Sequence, residues 1–386
     1  MSEHVGTAEW HGVQVYFYEE NKDDLILNCV RPLFSRLAPF AERMFYTRHW
    51  LRGPHLRLSF LASGGDFTNV IYPETERTVA RYLTENPSTA EIDEEELLAV
   101  HRAVAEQEQQ PGPFVPFHPD NSVRLAPYDR RIPVLGSAAA AELLEGFYHE
   151  TNAQAFAALD DVRSGRSRLT TAFDLMVATA HAMWPGINRG FISFRSHAEG
   201  FIARAGDPRR RRAFCDEKYR AQKAGLRRRL VAVLDGLDGP DGLDGPDGLD
   251  GPDALDGPDG LDGDGEVPLV REWVAVLGRY RARARPLIAS GEVSFVAAEQ
   301  GYAQQSWDPQ MLAHSTFHSL LQGEGGQMAR LQRDPDFLAF RFALNYLYLH
   351  LNRIGVRPVE RFVLCHLIAN TVEDHYGISA HDFVAS

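Results

Sequence analysis

Between Phe337 and Arg353 the chain reads FLAFRFALNYLYLHLNR, and Asn345–Asn352 alone holds two tyrosines, two asparagines and a histidine. Phenols and imidazoles are side chains that donate and accept protons in enzyme sites. Phe342, Tyr346 and His350 are four apart, which stacks them on one face of a helix. Asn345, Tyr348 and Asn352 follow at spacings of three and four and line an adjacent face. The remaining residues are mostly Leu, Phe and Ala, so the spacing predicts an interior helix, apolar nearly all round. Polar groups in such a helix need a partner or a ligand. Two readings are open: a satisfied core network whose hydroxyls reach a rim, or a wall facing a bound substrate.

A second cluster lies in SWDPQMLAHSTFHSLLQ, with Trp307, His314, Ser315, His318 and Ser319. His314 and His318 are four apart, but no Glu–x–x–His and no cysteine pair accompanies them, so the spacing does not make a metal site. Asp174 and His181, seven apart, also lack a third ligand. The motif G-x-S-x-G, a P-loop and a dinucleotide fingerprint are all absent, which leaves hydrolase, NTPase and dinucleotide chemistry unsupported.

Met44–Phe60, MFYTRHWLRGPHLRLSF, predicts two short strands joined at Gly53 and Pro54. His55, Arg57 and Ser59 alternate with Leu56, Leu58 and Phe60, and Arg48 shares a face with Trp50 by the same period of two. Cations on neighbouring strands form either a clamp for a carboxylate, peptide carbonyl or phosphate, or a solvated outer face. Asn121, Arg124, Tyr128, Asp129, Arg130 and Arg131 fall in loop-like sequence between prolines, and Arg195 follows a strand-like FISF.

These side chains must be positioned by a strand at Val13–Tyr18, the pair just described, and helices over 25–37, 74–83, 94–107, 138–181, 209–234, 268–289 and 359–376. Pro32 interrupts the first helix, and Gly377 ends the last. The order predicts an α+β fold, a β-sheet with helices packed on it, as a single domain over 1–386. A GLDGPD repeat over 235–265 reads as a disordered acidic loop. The twelve carboxylates between Asp235 and Glu266 account for nearly all of the net charge of −13; the rest of the chain stands at −1. Bulk charge therefore calls for no nucleic-acid partner. Cys29, Cys215 and Cys365 are odd in number and scattered, as in a reducing cytoplasm. No apolar run of about 18 residues exists, so no membrane span is expected, and the N-terminus does not read as a signal peptide.

FYTRHWLRGPHLRLSF resembles the F-x-R-x-W/Y…G-P-H-L-R-L-R-F signature of the thiopeptide-type bacteriocin biosynthesis domain, which includes the glutamate-elimination domain of lanthipeptide dehydratases. PDNSVRLAPYDRRIPVLG and LNYLYLHLNRIGVRPVERFVLCHLIANTVEDHYG are similar to the thiopeptide pyridine synthases. Elimination domains read S-x-x-H-M-x-x-N-R in the last core helix. With Asn352–Arg353 on that N-R, Tyr348 stands where their histidine lies, which favours the cycloaddition branch over glutamate elimination or transfer-RNA-dependent ligation. A leader-binding scaffold without catalysis is the alternative of another class. The resemblance implies a formal 4+2 aza-cycloaddition between two dehydroalanines, without metal, nucleotide or redox cofactor. The partner is a dehydrated, azole-containing precursor peptide with its leader, and a homodimer is left open. It places Tyr346, Tyr348, His350 and Ser315 near the chemistry, with His318 and Asn352 orienting them. Arg48, His55, Arg57, Arg124, Tyr128, Arg130 and Arg195 become candidates for binding substrate or leader.

Overall fold

The computed structural model describes residues 7–108, 110–238, 267–293, 309–322, 331 and 333–385. Backbone contacts group the chain into two units, 1–160 with 352–355, and 161–351 with 356–386.

The first unit holds an antiparallel sheet ordered β2-β3-β1-β4, formed by β1 (Glu9–Tyr16), β2 (Arg43–His49), β3 (His55–Ala62) and β4 (Ser122–Pro127). Period-two alternation gives it one apolar face, where Val13, Val15, Leu56, Leu58 and Phe60 are wholly buried. Helix α1 (Arg31–Leu37) covers that face, with Phe34 set edge-on to Phe60 at 5.9 Å. The break expected at Pro32 is absorbed by a π-helical turn, Ile26–Val30, immediately before it. A second π turn, Phe67–Ile71, precedes Pro73 in the same way, ahead of α2 (Tyr72–Glu85). Proline removes an amide donor and crowds the carbonyl four residues back, and a widened turn relieves both. Helices α3 (Glu94–Glu108) and α4 (Ala138–Glu150) complete the labelled helices of this unit.

The second unit is helical in its described residues: α5 (Arg168–Ala182), α6 (Ile187–Ala203), α7 (Pro208–Asp238), α8 (Val270–Ala289), α9 (Thr316–Gln322), α10 (Pro335–Arg353) and α11 (Pro358–Tyr376). Here the structure departs from the sequence reading in three places. The strand-like FISF lies inside α6, because Phe191, Phe194, Ala198 and Ile202 recur at helical spacing and are all buried. Helix α7 continues through Asp238, so the first four residues assigned to the acidic loop are its last turn; 239–265 lie outside the described residues. On α10, Asn345 and Asn352 are exposed, so this helix carries a solvent stripe. Gly377, left-handed at φ 63°, ends α11 as expected.

The cysteines are buried and free. Among the described residues no helix is long and apolar enough to cross a membrane.

Helices α5 and α6 approach so closely that a Cβ on Gly190 would sit 2.2 Å from the Ala180 carbonyl oxygen, a backbone atom that cannot swing aside. A Gly190→Ala variant is expected to lose about 1–3 kcal/mol of stability. Gly206→Ala, with no atom within 4 Å of the new carbon, is the control. Urea denaturation midpoints of the two variants check this.

Candidate functional site

In the second unit, the groups with chemistry converge on α6. Its residue Arg195 is only 4% exposed. The guanidinium donates to Asn370 Oδ1 at 2.5 Å and to Glu373 on α11, and lies 3.7 Å from Glu199 one turn along its own helix. Glu199 in turn accepts two bonds from Arg212 on α7. Burial raises the Glu199 carboxyl, but the Arg212 hydrogen bonds outweigh it and hold the group below the ordinary range. His366, pushed down to about 4 mainly by burial and then by Arg195, lies 2.9 Å from Asp216 and 2.8 Å from Asn370.

The next two residues of α6 carry two hydrogen-bonded couples. Ser196 Oγ is 3.1 Å from His318 Nε2, and the other ring nitrogen, Nδ1, is 2.7 Å from Ser315 Oγ. Ser315 also accepts the His318 amide at 3.3 Å, so it caps α9 while touching the imidazole. Burial pushes His318 down to about 4, so at neutral pH the ring is uncharged, with one nitrogen donating and the other accepting. Serine, imidazole and serine thus form a continuous hydrogen-bonded chain, an arrangement along which a proton can pass.

The second couple joins His197 Nδ1 to the Tyr348 hydroxyl at 2.6 Å. Cys365 Sγ is 3.8 Å from the same hydroxyl, and the Arg361 guanidinium lies 4.4 Å above the Tyr348 ring. Loss of hydration, and then Arg361, push His197 down to about 3. Tyr348 itself is half-buried.

Tyr346 and His350 take a different stripe of α10, toward α8. Tyr346 packs on Phe342 at 4.0 Å and near Tyr280 at 6.2 Å; His350 lies 4.7 Å from Trp273. Asn352 is exposed and groups with the first unit. The expected stack of Phe342, Tyr346 and His350 is therefore one stripe, and Tyr348 serves a separate cluster.

The cationic candidates are dispersed. In the sheet, Arg57 pairs with Thr47 and Gln14, and Gln14 with Arg124, so Arg57 and Arg124 share the polar face. Arg48 stands opposite Leu56 on the apolar face, away from them. It bonds Asp23 at 2.8 Å and the Arg353 carbonyl at 3.0 Å. His55 is fully buried; its Nδ1 lies 2.8 Å from the Gly53 carbonyl and its Nε2 accepts from Arg57. Burial first, and Arg57 second, push it down to about 3, so it supplies no charge at neutral pH. Arg130 forms a two-pronged pair with Glu145 at 2.8 and 2.9 Å, and the Tyr128 phenol, raised by burial and then by Glu145, stacks near Trp10 at 5.0 Å. Asp174 holds Arg229 and Arg166, while His181 pairs with Asp238, so that couple does not meet.

The sequence reading passed over Ser196, His197 and Arg361. Helical spacing from Phe191 and Phe194 was the available signal: it would have set Arg195 and Glu199 one turn apart and the two polar residues on a neighbouring stripe.

The family model for the C-terminal region of lantibiotic biosynthesis dehydratases matches residues 10–372. The chain belongs to this family. Among solved structures, the chain is similar to the pyridine synthase TbtD from thiomuracin biosynthesis, at 32% identity and a TM-score of 0.73, over 96% of this chain and 99% of that one. It shares its fold with TsrL at 22% identity and a TM-score of 0.68, over 98% of both chains. No curated protein matches the sequence.

The low imidazole values make stability depend on pH in a defined direction. A buried neutral histidine contributes stability that is present above its unfolded value near 6.5 and is lost as pH falls toward its folded one. For His318 the window runs from about 6.5 down to about 4. The wild type should therefore lose more denaturation free energy between pH 7 and pH 5 than His318→Gln, with the difference at most about 2 kcal/mol. Urea titrations at the two pH values check it.

Proposed function

We propose that this protein is a thiopeptide pyridine synthase. It joins two dehydroalanines of a ribosomally made precursor peptide by a formal 4+2 aza-cycloaddition. One dehydroalanine, with the preceding amide as its iminol tautomer, is the azadiene; the other is the dienophile. Loss of water and of the leader as an amide then gives the pyridine and closes the macrocycle. The end-to-end likeness to TbtD carries this reading, and the two proton-handling couples on α6 supply what the chemistry asks for.

Bringing two distant alkenes together is an entropy problem, and positioning can be worth roughly 7–11 kcal/mol. Tautomerisation and the two eliminations each move a proton. Tyr348, hydrogen-bonded to His197, is the proposed donor to a leaving group. Ser315, backed by His318 and Ser196, is the proposed acceptor and return path. Neutral imidazoles suit both roles, since a ring that stays uncharged relays a proton without holding it. Tyr346 and His350 act as an aromatic wall on the neighbouring stripe, and Arg57 and Arg124, on one sheet face, are proposed contacts for the leader.

Mass spectrometry tests the reading. A leader-bearing peptide with azoles and two dehydroalanines is expected to yield a pyridine macrocycle and free leader amide. Conversion of glutamylated serine to dehydroalanine, or addition of an amino acid from charged transfer RNA, would overturn it. Tyr348→Phe should reduce turnover about 10²–10⁴-fold with peptide affinity nearly unchanged; an undiminished rate would remove Tyr348 from the chemistry.

A further inference from the structure

Arg361 has a place in the fold that packing alone does not explain. It lies in the first turn of α11, its guanidinium 4.4 Å from the centre of the Tyr348 ring and 5.1 Å from that of Phe362. Among the described residues no carboxylate pairs with it, and its Nε is buried without a hydrogen-bond partner. Arg361 is half-buried, whereas the fully buried arginines of this unit are each held by carboxylates: Arg195 by Glu373 and Glu199, Arg229 by Asp174. A buried donor left unmatched is costly.

The charged and titratable groups facing the Tyr348–His197 couple are Arg361 and Cys365 on α11, Arg341 on α10, His318 on α9 and Arg204 just beyond α6. Among the described residues, the permanently charged groups acting on His197 in this set are cations, while Glu199 acts on His318. A guanidinium over a neutral phenol gains a cation–π attraction; once the phenol loses its proton, the same contact becomes an ion pair. An uncompensated arginine therefore favours the phenolate selectively.

We propose that Arg361 is a positioning residue that sets the acidity of Tyr348, so that the phenol gives its proton to the substrate's leaving oxygen or nitrogen and persists as a phenolate until reprotonated. In that step the Tyr348 O–H bond breaks and its proton goes to the departing oxygen or nitrogen, which leaves carbon with the electron pair of the broken C–O or C–N bond; the proton the substrate loses in the elimination goes to the Ser315–His318 path, and the phenolate oxygen accepts the Nδ1–H of neutral His197. Reprotonation of the phenolate from solvent or peptide restores the enzyme. The inference rests on the pyridine-synthase reading only for the identity of the leaving group.

The test uses the full chain labelled with 3-fluorotyrosine and followed by fluorine NMR as pH is raised. The Tyr348 resonance is assigned by its absence in Tyr348→Phe. In Arg361→Met, which keeps the bulk but not the charge, the Tyr348 titration should move up by about one pH unit or more. Arg361→Lys should restore most of that shift. An unmoved titration in Arg361→Met, with a fluorine spectrum otherwise like the wild type, overturns the proposal. This measurement needs no substrate, so it fails or succeeds independently of the assigned reaction. With the precursor peptide, Arg361→Met should also lower kcat about tenfold or more at nearly constant KM, because a weaker acid transfers its proton more slowly, and Arg361→Lys should recover it. A loss confined to KM would contradict the assignment just as an unmoved titration would.

Discussion

The candidate site depends on a buried guanidinium. Arg195 is removed from water and must be compensated by hydrogen-bonding acceptors and negative charge. Asn370, Glu373 and Glu199 provide that compensation, and two of them belong to α11. Because the bonds are directional, they fix α6 against α11 in rotation and in height. Gly190 sets the other contact of α6, where it crosses α5 at a distance that only a hydrogen side chain permits. Ser196 and His197 follow Arg195 directly, so the alignment of two proton-handling couples is inherited from a salt-bridge network that itself handles no proton. Breaking one partner would leave an uncompensated charge inside the helical unit, which is why such a tie constrains geometry more than it adds stability.

The second organising feature is a sorting of charge. Carboxylates and cations are matched on the α7 and α11 side, through Glu199 with Arg212 and Asp374 with Lys223. Beside Tyr348 lies the Arg361 guanidinium, and burial drives both adjacent imidazoles neutral, helped at His197 by Arg361 and opposed at His318 by Glu199. One surface of α6 is thus an anchored ion network and the neighbouring one a set of uncharged imidazoles hydrogen-bonded to hydroxyls. Acid–base chemistry at neutral pH gains from that arrangement, because it lowers the cost of a transient anion without trapping protons on histidine.

Much of this was legible in local pattern. The alternation through Met44–Phe60 predicted two strands and their turn, and the structure pairs them antiparallel with Tyr46 opposite Leu58. Helical spacing over 337–353 predicted α10 and the stacking of Phe342, Tyr346 and His350. The α+β class and the family followed from the same segments. Ser315 and His318, three apart, were singled out from sequence, and they meet through a capping bond that a short helix start makes local.

Other assignments needed tertiary structure. FISF reads as a strand by composition but folds as helix because Gly190 and the apolar stripe through Ile202 find a partner helix. Arg195 was a candidate for binding substrate or leader, yet it is buried, since the acceptors of its hydrogen bonds, Asn370 and Glu373, lie more than 170 residues further on. Arg48 parts from Arg57 because a strand's two faces point apart. A sequence determines periods, because repeat spacing is a property of neighbouring residues; it thereby determined the elements and the stock of proton carriers. Which imidazole meets which phenol, and which arginine goes uncompensated, was decided only when helices distant in sequence packed side by side, for charge and hydrogen-bond partnership depend on distances that no local pattern contains.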